Sequence, residues 1–388
     1  MRGDTHHHLS WTAGFRRTRP APRVASFVAV RLEALALLAM FAATGCVKRE
    51  PVVDPAANAA RARVVGTYAA VVDARSTASE GAIVSGAPTF HTVAAALASL
   101  PSESDAQRVV LIRAGRYREK LVVDKPHVTL RGEVRETSVI TFDASAGAAQ
   151  PGGGTYGTSG SFTLRIAAPD FRAEHITIEN AFNYQKNSAL PDTSSAKIRS
   201  AQAVALQLDR GSDRAAFVDC VIAGWQDTLY ANAGRAWFYH CVIEGHTDFI
   251  FGAGIAVFEE CDIVSRAAGF ITAPSTPPLQ LHGFVFIGSK LSRTANVKEQ
   301  TVALGRPWHP SSNPNVNPSA VYIDCLMDDH ITLEGWTSMG GYAPSTARFF
   351  EYGSKGPGAI KHPARRRLTD AEVLSYSRDK VLSGWNPL

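Results

Sequence analysis

Two aspartates occupy the same place in two copies of a repeated segment. The copies read AFVDCVIAGWQDTLY and WFYHCVIEGHTDFIF, and they set Asp227 and Asp248 21 residues apart. If each copy is one layer of stacked strands, equivalent side chains lie about 4.8 Å apart on the same face. Two carboxylates at that spacing can divide nucleophilic and acid–base work, because an ionised one favours a proton on the other.

A third copy, VFEECDIVSRAAGFI, continues the repeat. Phe217, Phe238 and Phe258 are each followed three residues later by cysteine and five residues later by isoleucine. A period of 20 to 21 residues that is rich in β-branched and aromatic residues is typical of a solenoid of stacked coils. The sequence therefore predicts an all-β fold, a right-handed parallel β-helix with capping helices at both ends.

Weaker copies of the template extend the solenoid in both directions. Coils are expected from about residue 107, where short alternating strands begin, to about residue 350. Polar inserts at 183–200 and 290–301 are expected to be surface loops, which build the binding face of a solenoid. The pairs that fit the template are Phe171 with Ile176, Phe286 with Leu291, and Tyr322 with Met327.

One helix is predicted at each end of the coils. Residues 88–100, PTFHTVAAALASL, place their apolar side chains on one helical face, so a helix beginning near residue 88 or 89 is expected to cover the open end. Residues 368–382, LTDAEVLSYSRDKVL, form the second candidate, with an N-cap at residue 369 or 370 and a stop at Gly384.

The formal charge of the chain is concentrated near its start. Residues 1–46 hold six arginines against Asp4 and Glu33, which gives them +4 of the total of +5. The rest of the chain is therefore nearly neutral. Its charge gives no indication of nucleic-acid binding, and none is predicted.

A removable leader is predicted before the main domain. The apolar run 34–45 is too short to span a bilayer but suits the core of a signal peptide. It ends in ATGC, which resembles a bacterial lipobox, so Cys46 is expected to carry lipid and to form the only membrane anchor. We therefore expect an exported bacterial protein, either an outer-membrane lipoprotein or a periplasmic or secreted form. The expected parts are a leader over 1–46, a linker over 47–65 and a single β-helix domain over 66–388.

Four cysteines follow Cys46. Cys220, Cys241 and Cys261 take the same position in successive coils, which allows either a ladder of buried thiols or one disulfide between neighbours. No cysteine or histidine spacing resembles a zinc site, and no HExxH motif occurs. Neither a metal nor another cofactor is predicted.

Four further motifs resemble a known family. In order and spacing they are similar to the signature blocks of the pectin methylesterases, and matches such as YGTSGSFTL and ITAPST extend the likeness over most of the chain. The resemblance implies an esterase that releases methanol from methyl-esterified galacturonan, either pectin or oligogalacturonides. It also implies a disulfide between Cys241 and Cys261; a monomer is expected. The four motifs are QAVAL (202–206), GWQDTLY (224–230), GHTDFIFG (245–252) and LGRPW (304–308).

The residues in these motifs suit ester hydrolysis, which needs a nucleophile, a proton donor for the leaving alcohol and donors for the oxyanion. The chain has no G-x-S-x-G elbow, which disfavours a serine nucleophile. We expect Asp248 to be the nucleophile, with a low pKa beside Arg306. Asp227, with a raised pKa, is expected to act as general acid and then general base. Gln202 and Gln226 are the expected oxyanion donors.

Other polar and aromatic residues receive secondary roles. His246 is interpreted as an edge residue of a subsite rather than a base. Residues 328–330, DDH, are interpreted as a turn rather than a metal site, because adjacent residues point to opposite sides of a strand. Trp308 offers a flat apolar wall for a sugar ring. The expected substrate-binding residues are Thr158, Gln202, Tyr230, Phe251, Arg306 and Trp308.

Two other functions stay open at this point. The same fold and aspartate pair could act on another ester or on an acyl thioester. The chain could also be a noncatalytic carbohydrate-binding β-helix, although the complete set of polar residues argues against this. A pectate lyase would need an acidic calcium cluster and a polygalacturonase an additional catalytic aspartate, and neither is evident in the sequence.

Overall fold

The computed structural model describes residues 67–388, so the predicted leader with Cys46 and the whole predicted linker lie outside the described residues. Strands dominate this part of the chain, and they pair in parallel except for β2 with β3. In chain order the strands are β1 (Ala70–Val72), β2 (Ala82–Val84), β3 (Ala87–Phe90), β4 (Arg108–Ile112), β5 (Gly115–Arg118), β6 (Leu121–Val123), β7 (Val128–Gly132), β8 (Ser138–Phe142), β9 (Leu164–Ile166), β10 (Arg172–Glu174), β11 (Thr177–Asn180), β12 (Leu206–Leu208), β13 (Ala215–Val218), β14 (Val221–Ala223), β15 (Leu229–Ala231), β16 (Arg235–Tyr239), β17 (Val242–Gly252), β18 (Ile255–Glu259), β19 (Asp262–Pro274), β20 (Phe284–Ile287), β21 (Lys290–Arg293), β22 (Val302–Gly305), β23 (Ser319–Ile323), β24 (Leu326–Met327) and β25 (Arg348–Tyr352).

The helices of the described residues are short. None of them combines the length and the apolar character needed to cross a membrane. The α-helices are α1 (Val93–Ser99), α2 (Gly157–Gly160), α3 (Tyr184–Ser188), α4 (Asp370–Val373) and α5 (Arg378–Val381), and the 3₁₀ helices are Pro310–Ser312, Pro344–Thr346 and Leu374–Tyr376.

The strands stack into three parallel faces, as expected for a β-helix. The first face runs from β3 and β1 through β4, β7, β10, β13, β16, β18, β20 and β23 to β25. The second contains β5, β8, β11, β14, β21 and β24, and the third contains β6, β9, β12, β15 and β22. Strands β17 and β19 are long enough to turn the corner and take part in both the second and third faces. The predicted β-helix is confirmed, and it begins earlier than expected, at β1.

Like residues stack on like residues inside the coils. Phe217, Phe238, Phe258, Phe286 and Tyr322 occupy equivalent positions of five successive coils. Neighbouring ring centroids in this column lie 4.3 to 4.9 Å apart, and all five rings are fully buried. Each of the three inner rings is held between two others, so the column is a main source of buried apolar area in the core.

Two details of the predicted strand positions are wrong. The first face pairs Ala173, not Phe171, with Phe217, because the coil before the clear repeats carries a small residue at the inward position. The predicted pair Phe171 and Ile176 is therefore displaced by two residues. The insert at 290–301 also begins as strand β21, since Leu291 continues the inward apolar column of the second face.

In the five coils that contain β13, β16, β18, β20 and β23, the chain turns from the first face to the second through a left-handed residue. Asp219, His240, Glu260 and Asp324 have φ between 51° and 53° at this corner, and Gly288 takes the same place with φ of 59°. Left-handed backbone is unfavourable for most residues but accessible to glycine and to short polar residues. The repeated turn keeps successive coils in register.

The cysteines form a ladder of free thiols. Cys220, Cys241, Cys261 and Cys325 are all buried and unpaired, so the disulfide expected between Cys241 and Cys261 is absent. Equivalent residues of parallel strands keep their Cβ atoms near the strand spacing of about 4.8 Å, wider than the 3.5–4.5 Å that a disulfide prefers. Each of these two thiols instead contacts a carbonyl oxygen of the preceding coil at 3.4 Å.

Helix α1 covers the open N-terminal end of the coils, as predicted. Val93 and Leu97 pack into the main core, and the Thr92 hydroxyl caps the helix by accepting from the Ala95 amide at 3.1 Å. The helix begins later than expected, because Thr89 and Phe90 belong to β3 and pair with β1.

The C-terminal segment does not cap the other end. It is broken into α4, a 3₁₀ turn and α5, and Val381 and Leu382 pack against outward-facing Trp237 and Val257 of the first face. Arg235 also donates to the Leu382 carbonyl at 3.0 Å. The predicted second cap is therefore wrong in position, because the apolar outer surface of the first face needs a cover.

We expect the aromatic column to dominate stability. Phe238→Ala should lower the free energy of unfolding by about 3–5 kcal/mol, because the cavity lies between two rigid rings. Equilibrium unfolding in guanidinium chloride measures this change in free energy. The matched control is Leu281→Ala at a side chain that is 77% exposed, which should change the free energy by less than about 0.5 kcal/mol. Equal effects of the two substitutions would contradict the role given to the column.

Candidate active site

A cleft of about 430 Å³ lies on the third face beside the corner with the second. All nine residues expected to act in catalysis or substrate binding contribute to its walls. Ser159, Ala273 and Met339, which were not predicted, complete the lining. The wall residues are Thr158, Ser159, Gln202, Gln226, Asp227, Tyr230, Asp248, Phe251, Ala273, Arg306, Trp308 and Met339.

The two aspartates reach the cleft from adjacent coils. Asp227 lies two residues before β15, and Asp248 lies within β17 where its pairing with β19 shifts register between Thr247 and Ile250. Both aspartates adopt left-handed backbone, with φ of 62° and 49°. Strained backbone of this kind is common at functional sites. The amide of Asp227 donates to the Thr247 carbonyl at 3.0 Å, which ties the two coils together at this point.

Arg306 is fixed against Asp248 by two hydrogen bonds. Its Nε donates to Oδ1 at 2.8 Å and its Nη2 to Oδ2 at 2.6 Å, a bidentate pair. The guanidinium carbon lies 3.9 Å from the centroid of the Phe270 ring, which supports it from another side. Gly305 allows the close approach of this coil, because a Cβ there would lie 2.1 Å from Oγ1 of Thr272.

Burial controls the protonation of both aspartates. It raises the pKa of Asp227 well above its ordinary value, the negative charge of Asp248 raises it further, and Arg306 and Gln226 oppose the shift. Burial also raises the pKa of Asp248, although Arg306 opposes it. The expected low pKa of Asp248 is thus wrong, because removal from water outweighs the ion pair. Asp227 is still the aspartate that retains its proton more strongly.

Amides and aromatic rings surround the pair. Gln202 and Gln226 lie in the cleft wall, and Oε1 of Gln202 is buried without a hydrogen-bond partner. Tyr230 and Phe251 stack with centroids 4.2 Å apart, and Trp308 stands 5.7 Å from Phe251. This side of the cleft therefore offers an apolar wall that can receive a sugar ring.

The wall residues that were not predicted differ in whether a sequence motif could have identified them. Ser159 belongs to the YGTSG motif and could have been proposed with Thr158. Met339 carries no signal, because it reaches the cleft from a turn closed by hydrogen bonds with Tyr342. Its position depends on how this loop folds over the coils.

His246 does not line the cleft. Its buried ring packs 4.3 Å from Tyr184 and 5.8 Å from Trp225, measured between centroids. Burial lowers the pKa of His246 to about 4, so the ring is neutral near pH 7. This position favours packing over the predicted role at a subsite edge.

Asp328, Asp329 and His330 lie in a turn, as predicted, but their side chains converge. Potential ligand atoms from the three lie within 4.8 Å of one another, because turn residues do not alternate as strand residues do. Asp329 pairs with Arg293 at 2.7 Å, which neutralises one of the two carboxylates. We assign these residues to the turn.

Comparisons with known proteins agree with the fold and the cleft. The family model described as Pectinesterase matches residues 82–380. Pectinesterase A of Dickeya chrysanthemi is 40% identical over 359 residues, which cover 86% of this chain and 95% of that protein. The chain therefore belongs to the pectinesterase family.

Solved structures give the same result. Pectin methylesterase PemA from Erwinia chrysanthemi superposes with a TM-score of 0.78 at 39% identity, covering 83% of this chain and 99% of that one. A pectin methylesterase in complex with a hexasaccharide superposes with a TM-score of 0.77 at 38% identity and the same coverage.

The raised pKa of Asp227 makes a prediction about stability. Its folded pKa exceeds its unfolded value of about 3.9, so the wild type loses stability as the pH rises from about 4 through the folded pKa. Asp227→Asn removes this loss. The variant should therefore gain in free energy of unfolding relative to wild type as the pH increases, measured by denaturant titration at several pH values.

The control for this measurement is Asp143→Asn, since Asp143 is half-exposed and pairs with Arg118 at the surface. It should show no comparable gain with rising pH. A constant difference between Asp227→Asn and wild type across the range would show that the pKa of Asp227 is not raised by folding.

Proposed function

We propose that this chain is a carboxylic ester hydrolase that removes methyl groups from methyl-esterified galacturonan, either pectin or oligogalacturonides, and releases methanol. The observation that carries the proposal is the buried aspartate pair in one cleft, with Arg306 bidentate on Asp248. The aromatic wall of the cleft and a relative that was solved with a bound hexasaccharide support a sugar polymer as the substrate.

The first half of the reaction forms an acyl enzyme. A carboxylate oxygen of Asp248 attacks the ester carbonyl carbon, and the amide groups of Gln202 and Gln226 stabilise the resulting oxyanion. When the intermediate collapses, Asp227 gives its proton to the departing methoxy oxygen. Methanol leaves, and the galacturonate acyl group stays on Asp248 as a mixed anhydride.

The second half returns the enzyme to its starting state. Asp227 is now ionised and takes a proton from water, which attacks the acyl carbon of the anhydride. The carbonyl–oxygen bond to Asp248 breaks, so the product leaves as galacturonic acid, which then loses its own proton to solvent, and Asp248 is again ionised. Asp227 ends protonated, ready for the next ester.

The order of protonation required by this cycle, with Asp227 holding its proton more strongly than Asp248, agrees with the electrostatics of the cleft. Asp227 is the more strongly protonated aspartate because burial and the charge of Asp248 both raise its pKa. Asp248 makes two charge-assisted hydrogen bonds to Arg306, which favour its ionised form and orient one carboxylate for attack.

We also propose that the protein is exported and anchored by lipid on Cys46, with residues 66–388 forming a single catalytic domain that acts as a monomer. The support for the anchor is the apolar run 34–45, whose last three residues form the sequence ATGC together with Cys46. Export would give the cleft access to galacturonan fragments outside the inner membrane.

Loss of the nucleophile should abolish turnover. We expect no methanol release from methylated pectin by Asp248→Ala and loss of most activity in Asp227→Asn. Gln226→Ala should lower kcat by about 10²–10³, the typical effect of losing one oxyanion donor. Asp143→Asn, a surface change, should keep wild-type activity. A folded Asp248→Ala protein with near-normal esterase activity would rule out this mechanism.

The anchor has its own test. In a bacterial host with a lipoprotein pathway, wild type should fractionate with membranes, and Cys46→Ser should move to the soluble fraction because it cannot be acylated. Cys325→Ser, at a buried core thiol, serves as the control and should remain with membranes. An unmodified mature chain that starts elsewhere, seen by intact mass spectrometry, would contradict the proposal.

A further inference from the structure

The outward side chains of the third face form one continuous row that extends beyond the cleft. Strand pairing aligns the row across six neighbouring strands, and its last three members belong to the cleft wall. Arg165 stands two strands before Tyr230, a distance of about 10 Å. The row therefore leads from the aspartate pair toward the N-terminal end of the coils. Its members are Val122, Arg165, Gln207, Tyr230, Phe251 and Ala273.

Two cations meet on one aromatic ring beside this row. The Nζ of Lys120 lies 2.9 Å from the centroid of the Phe162 ring, and the guanidinium carbon of Arg165 lies 4.1 Å from it. Phe162 is 6% exposed and belongs to one apolar cluster with Val204 and the cleft residues Phe251 and Ala273. The cation pair is thus joined to the cleft through its apolar wall.

These two cations have few acidic partners. Among residues 67–388, Lys120 has neither an ion pair nor a hydrogen bond to a carboxylate. Arg165 approaches Asp209 at 3.7 Å without a hydrogen bond. Asp209 already accepts hydrogen bonds from Gln207 and from the Arg210 amide. The two cations therefore have one paired carboxylate between them, which leaves an excess of positive charge beside the row.

The surroundings of Lys120 favour the arrival of an anion. Burial lowers the pKa of Lys120 to about 7, and the charge of Arg165 contributes to the shift. Arg165 is held in place by donating to the Ser159 carbonyl at 2.8 Å, and its side chain is 26% exposed. A carboxylate bound here would offset both positive charges, and a guanidinium matches its planar geometry.

We infer that Lys120 and Arg165 form a subsite for the free carboxylate of an already demethylated galacturonate residue. The inference rests on the proposed function and deepens it. A bound chain would present a methyl ester to Asp248 and a free acid two coils away. The enzyme would therefore prefer partly demethylated galacturonan, the product of its own earlier turnovers or of another esterase.

The first experiment compares two galacturonans of equal length, one fully methyl-esterified and one about half de-esterified. Wild type should show higher kcat/KM on the half-esterified chain. Lys120→Gln and Arg165→Gln should each reduce that preference, the ratio of the two kcat/KM values, by about tenfold, as expected for the loss of one charge-assisted hydrogen bond. Lys120→Arg should restore most of it. Lys290→Gln, an exposed cation on the second face, should leave both rates unchanged.

The second experiment does not depend on turnover. Binding of a fully de-esterified oligogalacturonate, followed by calorimetry, should weaken about tenfold in Lys120→Gln and Arg165→Gln and remain near wild type in Lys120→Arg. If wild type releases methanol and both glutamine variants keep its substrate preference and its affinity for the oligomer, the subsite is overturned. Wild type that releases methanol from neither galacturonan would instead overturn the proposed function, while loss of oligomer binding in the variants would still support the subsite.

Discussion

The structure depends on one constraint: successive coils stack in register at a single strand spacing. Each side chain consequently has an equivalent neighbour about 4.8 Å above and below it. In the core this favours like residues, and the Phe217–Phe238–Phe258 column and the thiol ladder are its results. At the corner beside the third face the same constraint brings Asp227 and Asp248 together, where stacking of like charges is unfavourable.

The surroundings of the aspartate pair make its two members different. Following the register from the pair toward the N-terminal end, the equivalent positions are Val204 and Phe162, which are apolar and buried. Toward the C-terminal end stand Phe270 and the guanidinium of Arg306. The aspartate on the apolar side keeps its proton, and the aspartate on the cationic side is favoured as the anion. The acid and the nucleophile therefore differ because their neighbours along the solenoid axis differ.

The same axis organises the proposed substrate path. Side chains of the third face change from aromatic near the aspartate pair, at Tyr230 and Phe251, to cationic at Arg165. An apolar stretch suits a methyl ester and a cationic stretch suits a free acid. The ordering of residues along one face therefore matches the chemical difference between substrate and product, which differ by one methyl group and one negative charge for each sugar.

The sequence alone determined the β-helix, the one-coil spacing of the aspartates and nearly all of the cleft wall, because these features repeat locally along the chain. Only the tertiary structure decided what depends on distant segments: the placement of α5 on the first face, the arrival of Met339 in the cleft, and the unpaired state of Cys241 and Cys261. It also decided the direction in which the pKa of Asp248 shifts, since a motif shows that Arg306 is available but not how much water the folded coils exclude. Burial is a property of the whole fold, and no local pattern specifies it.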